Sequence, residues 1–290
     1  MTKLYQKLIK SGITAEKVRP GNRESTVIYA DEKRAEVLRA IFSFIDLTSL
    51  NVTDNPRIIT DFTQKVSSFD IHFPGMKNVA AVCVFPNFVQ PAIVGLNKCG
   101  VRLAVVSASF PTSQTFLEVK VSETEIAVRN GADEIDVVMP LGTFLERDYE
   151  AVIGELKALR LAAGDATLKV ILETGVLRDN ELIYRAAVVA IESGADFIKT
   201  STGKSSVSAT PEAAWVICRA ILDYYKETGI MIGFKAAGGI VSPDEAIIYY
   251  NIVKNELGEK WLDPSLFRIG ASRLANGILH ELYPEKPAYF

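Results

Sequence analysis

From about residue 40 onward, short apolar runs alternate with longer amphipathic stretches. The runs fall at residues 41–47, 79–85, 102–107, 134–139, 168–173, 196–199, 231–234 and 267–270. Most read as apolar on both faces, as parallel strands do when helices cover the outside and a packed barrel fills the inside. Between them apolar residues recur at helical spacing, as in Val152, Leu156, Leu159 and Ala163, then Leu182, Ala186 and Val189, then Ala214, Cys218 and Ile221. Gly131, Gly164, Gly194 and Gly229 each stand just before the next strand, where a helix is expected to stop. Eight such units predict an α/β fold of one kind, a closed (β/α)8 TIM barrel over residues 41–283. No G-x-G-x-x-G follows the first strand, so the dinucleotide signature of an open doubly wound sheet is missing.

The first 40 residues precede the barrel as an extension expected to be helical, and residues 284–290 form a C-terminal tail. Leu4, Leu8 and the stretch 31–40 supply helical material for capping the barrel floor or for a subunit contact.

Composition narrows the partners. The chain has 290 residues, 48% of them hydrophobic, and a net charge of -3, which leaves neither a basic footprint for nucleic acid nor a polybasic membrane anchor. No apolar run approaches the roughly 18 residues that a membrane span requires. Residues 1–10 lack an apolar signal core, so the expected location is the cytoplasm. Cys83, Cys99 and Cys218 are widely spaced with no C-x-x-C pair, which fits reduced thiols and not a cysteine zinc site. With His72 and His280 as the two histidines, a histidine-built metal centre or triad is not expected.

Candidate chemistry gathers at the strand ends, where a barrel carries its catalytic groups. In order these are Asp46, Cys83, Asp136, Glu173, Lys199, Lys235 and Gly270. The run Asp196-Phe197-Ile198-Lys199-Thr200-Ser201-Thr202-Gly203-Lys204 delivers a lysine to the end of an apolar strand. Burying an ammonium costs several kcal/mol unless it is paired or deprotonated. As a free amine it is a nucleophile toward carbonyls; on its own, a structural ion pair or a solvated strand end explains it better. Lys235, in Gly233-Phe234-Lys235-Ala236-Ala237-Gly238-Gly239, is a second cation on the neighbouring strand and would lower the first lysine's pKa. Asp136 then has a role in moving protons with Lys235, while Lys169 and Glu173 invite pairing with these central charges. Gly238-Gly239 after strand seven and Gly270-Ala271-Ser272-Arg273 after strand eight stand where barrels often build a phosphate site. Cys83 reads most simply as a small core residue.

Taken together, these segments resemble the deoxyribose-phosphate aldolases. The matching pieces are Asp46-Leu47-Thr48-Ser49-Leu50-Asn51, Cys83 with Pro86, Glu134-Ile135-Asp136-Val137-Val138, Lys169 to Gly175, Asp196 to Lys204, Gly233 to Gly239 and Gly270-Ala271-Ser272. The resemblance implies a class I aldolase that cleaves 2-deoxy-D-ribose 5-phosphate reversibly to acetaldehyde and glyceraldehyde 3-phosphate, without metal or other cofactor, as a homo-oligomer. It implies Lys199 as the Schiff-base lysine, Lys235 as the lysine that depresses its pKa, and Asp136 as the acid of the proton relay. It also implies a substrate pocket of Asp46, Leu50, Cys83, Lys169, Thr202 and Lys204, and phosphate contacts from Gly203, Gly238, Gly239, Gly270 and Ser272. Two positions depart from the family pattern. Ala236 stands where a proline is usual, and Arg273 where a second serine is. In some members a tyrosine on the tail assists proton transfer, which makes Tyr289 a candidate here.

Overall fold

The computed structural model describes Lys7 and residues 29–290; the expected helical residues Leu4 and Leu8 lie outside that range. Eight parallel strands form the sheet: β1 (Ile45–Thr48), β2 (Ala81–Val84), β3 (Arg102–Ser107), β4 (Glu134–Val138), β5 (Thr167–Ile171), β6 (Phe197–Lys199), β7 (Gly233–Ala237) and β8 (Phe267–Ala271). Each pairs with the next, and β8 pairs with β1 to close the barrel. Before β1 comes α1 (Asp31–Phe42). One long helix then follows each strand: α2 (Pro56–Ser67), α3 (Val89–Leu96), α4 (Leu117–Arg129), α5 (Tyr149–Ala163), α6 (Asn180–Glu192), α7 (Pro211–Thr228), α8 (Pro243–Glu256) and α9 (Leu274–Leu282). This is the predicted (β/α)8 architecture. Among the described residues no helix is long and apolar enough to cross a membrane.

Alternation along the strands sorts side chains into two interiors. Ile135, Val137, Val170, Ile198, Phe234 and Ile269 join the large apolar layer between sheet and helices. The helical-spacing residues Val152, Leu156, Leu159 and Ala163 bury into the same layer from α5. The alternate strand positions face the barrel axis. On β2 and β3 these are small and apolar (Ala81, Cys83, Ala104, Val106), forming a separate cluster with Leu50. On β1 and β4–β8 several are charged, and Asp46, Glu134, Asp136, Lys169, Lys199, Lys235 and Arg268 are all buried. The strands are therefore not apolar on both faces, as expected above; one side of the barrel axis is a column of charge.

Most strand boundaries shift by one or two residues, and the starts of β1 and β7 bear on the rest of the structure. Ile41 and Phe42 end α1, because with Val37 and Leu38 they make its buried i, i+4 stripe, and β1 begins at Ile45. The extension's expected end at residue 40 thus falls inside a helix, which packs against α8 and α9 and is tied to both by Arg34, 2.8 Å from Asp244 and 2.5 Å from Glu281. Strand β7 starts later than expected, at Gly233, so Lys235 sits mid-strand.

At that start the residue type is constrained sterically. A Cβ on Gly233 would stand 2.4–2.5 Å from the Phe197 ring on β6, so the two strands pack as they do only around glycine. We predict that Gly233→Ala lowers unfolding stability by about 1–3 kcal/mol through overpacking. It should read as a lower urea midpoint with an unchanged slope.

Candidate active site

Register brings the charged residues together. Lys199 on β6 lies opposite Lys235 on β7, and Asp136 on β4 opposite Lys169 on β5. Asp136 is shared by three ammonium groups: its Oδ2 accepts from Lys199 Nζ at 2.7 Å and Lys235 Nζ at 2.8 Å, and its Oδ1 from Lys169 Nζ at 2.9 Å. Beneath this, Asp46 Oδ2 lies 2.5 Å from Lys235 Nζ, and Glu134 Oε2 lies 2.6 Å from Lys169 Nζ. Arg268 closes the column from below, donating to Asp46 Oδ1 at 2.5 Å and to Glu134 Oε1 at 2.8 Å.

Four buried cations therefore face three buried carboxylates. Each ion costs several kcal/mol to desolvate, and the unmatched one is the cheapest to discharge. Lys199 carries that surplus. Burial and the neighbouring Lys235 outweigh the pull of Asp136 and hold its pKa below the ordinary lysine value. Its partners go the other way. Burial opposes the charge of Lys235, but Asp136 and Asp46 more than offset it and raise its pKa. Asp136 and Glu134 do the same for Lys169. Burial would raise Asp136, yet Lys169, Lys199 and Lys235 hold its carboxyl well below the usual range. The site thus sets an amine of lowered pKa beside a fixed anion and a retained proton on Lys235. Cys83 stays a thiol, because burial pushes its pKa up.

Above Lys199 opens a cavity of about 350 Å³ at the C-terminal mouth of the barrel, also lined by Leu50, Thr202, Gly203, Lys204 and the glycine loops. Thr202 is fixed by Glu173, to which its hydroxyl donates at 2.5 Å, and Lys204 Nζ donates to the Leu50 carbonyl at 2.6 Å. The far wall is Gly238-Gly239 together with Gly270, Ala271, Ser272 and Arg273, the last two exposed at the start of α9. Gly238 has φ +86°, and a Cβ there would stand 2.6 Å from Ser208 and 3.0 Å from the Gly203 α-carbon. Backbone amides and a helix N-terminus beside Lys204 and Arg273 make this wall suited to an anion.

The sequence-predicted residues divide by depth. Lys199, Leu50, Thr202, Lys204, Gly203, Gly238, Gly239, Gly270 and Ser272 line the cavity. Asp136, Lys235, Asp46, Lys169 and Cys83 do not line it and are wholly buried. Gly270 does more than wall the cup: a Cβ there would stand 3.1 Å from Lys235 Cε, so glycine leaves room for the lysine chain. Glu173 pairs with Thr202 and not with the central charges. Tyr289 is on the outside of the barrel, its hydroxyl donating to the Lys65 carbonyl at 2.7 Å and its ring against Phe69 and Phe73. Asn276 clamps the tail there through both the Tyr289 and Phe290 amides. Glu134 and Arg268 escaped the sequence reading. Each sits two positions before a residue that was singled out, Asp136 and Gly270, and therefore on the same face of its strand.

A depressed-pKa lysine over a proton-holding pair, at the C-terminal mouth of a (β/α)8 barrel, suits an enzyme that works through a lysine and a carbonyl. Comparison with known proteins places the chain within that class. Residues 45–250 match the model of the DeoC/LacD family aldolases, and the chain belongs to that family. A deoxyribose-phosphate aldolase from Homo sapiens is 42% identical over 260 residues, covering 86% of this chain and 81% of the relative. One from Agrobacterium fabrum is 39% identical over 259 residues, covering 89% and 96%. The tetrameric structure of deoxyribose phosphate aldolase from Aeropyrum pernix superposes with a TM-score of 0.66 at 25% identity, over 89% of this chain and all of that one.

Two stability predictions follow from the ion column. Asp136→Ala leaves three buried cations short of a carboxylate and should cost about 3–5 kcal/mol; Lys199→Ala, which removes the surplus cation, should cost far less in chemical denaturation. The depressed pKa values of Asp136, Asp46 and Glu134 set the acid limit. Their stabilisation is present above the unfolded carboxylate pKa of about 4 and is lost as pH falls below it. A pH series of urea midpoints should fall steeply below about pH 4, and less steeply in Asp136→Asn.

Proposed function

We propose that the protein is a deoxyribose-phosphate aldolase that works through a Schiff base on Lys199. The observation that carries this reading is the shared Asp136: of the three lysines on that one carboxylate, Lys199 is the one whose pKa is lowered. The relatives' names supply the substrate, 2-deoxy-D-ribose 5-phosphate, and the glycine-walled cavity fits its phosphate end.

The lone pair of Lys199 adds to the C1 aldehyde carbon of the open-chain sugar. The carbinolamine then loses its oxygen as water, with a proton relayed through Lys235 and Asp136, and an iminium forms. The C3 hydroxyl gives up its proton to the relay that has just supplied one to the departing water, and the C2–C3 electron pair moves toward the iminium nitrogen. Glyceraldehyde 3-phosphate departs and an enamine remains. Protonation at C2 and addition of water release acetaldehyde and restore the amine. Lys235, whose proton is held tightly, is the reservoir, and Asp136 is the fixed anion through which that proton moves.

We also infer a homo-oligomer acting in the cytoplasm, with small aldehydes and sugar phosphates as its partners. The tetrameric relative supports self-association; the free cysteines fit a reducing compartment. A monomer mass by light scattering would reject the oligomer.

Borohydride reduction with acetaldehyde, followed by peptide mass spectrometry, tests nucleophile and substrate together. The expected product is a reduced two-carbon adduct on Lys199. Lys199→Ala should abolish cleavage, and Asp136→Asn should lower turnover on the order of 10²-fold or more. Near-normal cleavage by Lys199→Ala, or adducts formed only with ketose phosphates, would refute this reading. In the phosphate wall, Gly238→Ala should raise KM for the phosphorylated sugar while leaving acetaldehyde trapping on Lys199 nearly unchanged.

A further inference from the structure

We propose that Arg268, at the floor of the barrel, is the positioning residue that makes Lys199 the unmatched cation of the column. This rests on Lys199 being the reacting amine. Arg268 touches neither the upper cavity nor Lys199. Its guanidinium is engaged on three sides: NH1 and NH2 bond Asp46 and Glu134, Nε bonds the Pro264 carbonyl, and the plane lies 5.8 Å from the Phe197 ring centroid. So held, it has a single arrangement.

The consequence travels by partner exchange. Asp46 and Glu134 are the carboxylates nearest Lys235 and Lys169, at 2.5 and 2.6 Å. Because Arg268 occupies their other oxygens, neither carboxylate is free to neutralise its lysine alone. Lys235 and Lys169 therefore both lean on Asp136, at 2.8 and 2.9 Å, and Lys199, 2.7 Å from it and ion-paired with no other carboxylate among the described residues, must share that anion with both. Without Arg268 the count becomes three lysines and three carboxylates. Lys235 would take Asp46, Lys169 would take Glu134, and Asp136 would be left to hold Lys199 as an ammonium. The remaining groups facing Lys199 do not alter the count: Cys83 is a thiol, and Lys204 is bonded to the Leu50 carbonyl. Around Arg268 the other charges are Asp263, which affects it through space, and the half-exposed Arg102, 3.7 Å from Glu134.

The test reads the Lys199 amine directly, as the pH dependence of reductive trapping of acetaldehyde on that residue, in folded protein checked by circular dichroism. Arg268→Met should move the midpoint of trapping to higher pH by about one unit or more, so that trapping near neutral pH falls about tenfold. Glu134→Gln, which removes a carboxylate and leaves four cations on two, should move it to lower pH. The double variant restores a surplus of one cation and should return the midpoint to within about half a unit of wild type, as should Arg268→Lys. A merely structural role would shift both single variants the same way or not at all, and would make the double variant worse than either. If Arg268→Met does not fold, the Glu134→Gln shift and its reversal in the double variant decide the matter. Wild-type protein unlabelled at Lys199 would remove the aldolase mechanism and this proposal with it. Labelled wild type with unmoved midpoints in the variants would overturn the role of Arg268 alone.

Discussion

Inside the barrel, one carboxylate is asked to satisfy three ammonium groups. Asp136 accepts from Lys199, Lys235 and Lys169, and the remaining anions, Asp46 and Glu134, are divided between those lysines and Arg268. Ions are tolerated away from water only when attraction offsets desolvation, so the column is stable as a whole and unstable in its parts. It also joins β1, β4, β5, β6, β7 and β8 across the axis, where an ordinary barrel would stack aliphatic layers. Among the three lysines, the surplus charge falls on the one nearest water. Lys199 is 4% exposed, whereas Asp136, Lys169 and Lys235 are at 0%. A proton can leave from there alone without opening the barrel.

The apolar half of the interior complements the charged half. Ala81, Cys83, Ala104 and Val106 are small, so β2 and β3 leave space beside the lysines without adding dipoles that would compete for them. Cys83 belongs to that wall, and its raised pKa keeps a second nucleophile from forming next to the first. On the opposite side, glycine performs two separate tasks. At 238 it permits a positive φ and close approach of the Gly203 loop, and at 270 it yields volume to the Lys235 side chain. The cup and the reactive column are thus linked through Gly270: a residue that walls the cavity also determines where the proton-bearing lysine can lie.

Most of this architecture was legible in the alternation of apolar runs and helical stripes, because those periodicities are imposed by the same sheet and helix geometry that forms the barrel. The boundaries that failed had competing signals. Ile41 and Phe42 satisfy a helical stripe as well as a strand, and β7 starts where Phe197, on a different strand, requires a glycine. Lys199, Lys235 and Asp136 stood out as lone charges in apolar runs. Arg268 and Glu134 did not, being closer to strand starts, where an exposed charge is ordinary. Only closure of the sheet, which sets β8 beside β1 with Asp46 in register with Gly270, brings Arg268 over Asp46. Glu173 was misread for the opposite reason. Its left-handed backbone, φ 51°, follows the strand's end and turns the carboxylate to Thr202. Tyr289 carries no sequence sign of the aromatic groove and the Asn276 clamp that hold it.

The surplus cation also explains how one site can favour an amine before reaction and a cation during it. A lysine with a lowered pKa releases a proton on folding, so its contribution to stability grows with pH between its folded pKa and the unfolded value near 10.4. Condensation with an aldehyde then restores positive charge at the same nitrogen, as an iminium, the proton that leaves with the water being supplied through Lys235. At that moment Asp136 is already 2.7 Å away and already ionised. Its attraction, which in the free protein only partly resists deprotonation of Lys199, becomes stabilisation of the intermediate. No group has to reorient for this to happen, which is the condition under which a fixed charge in a water-poor site lowers a barrier most. The strain of an unbalanced ion column in the resting protein and the electrostatic readiness for a cationic intermediate are therefore the same feature of the barrel.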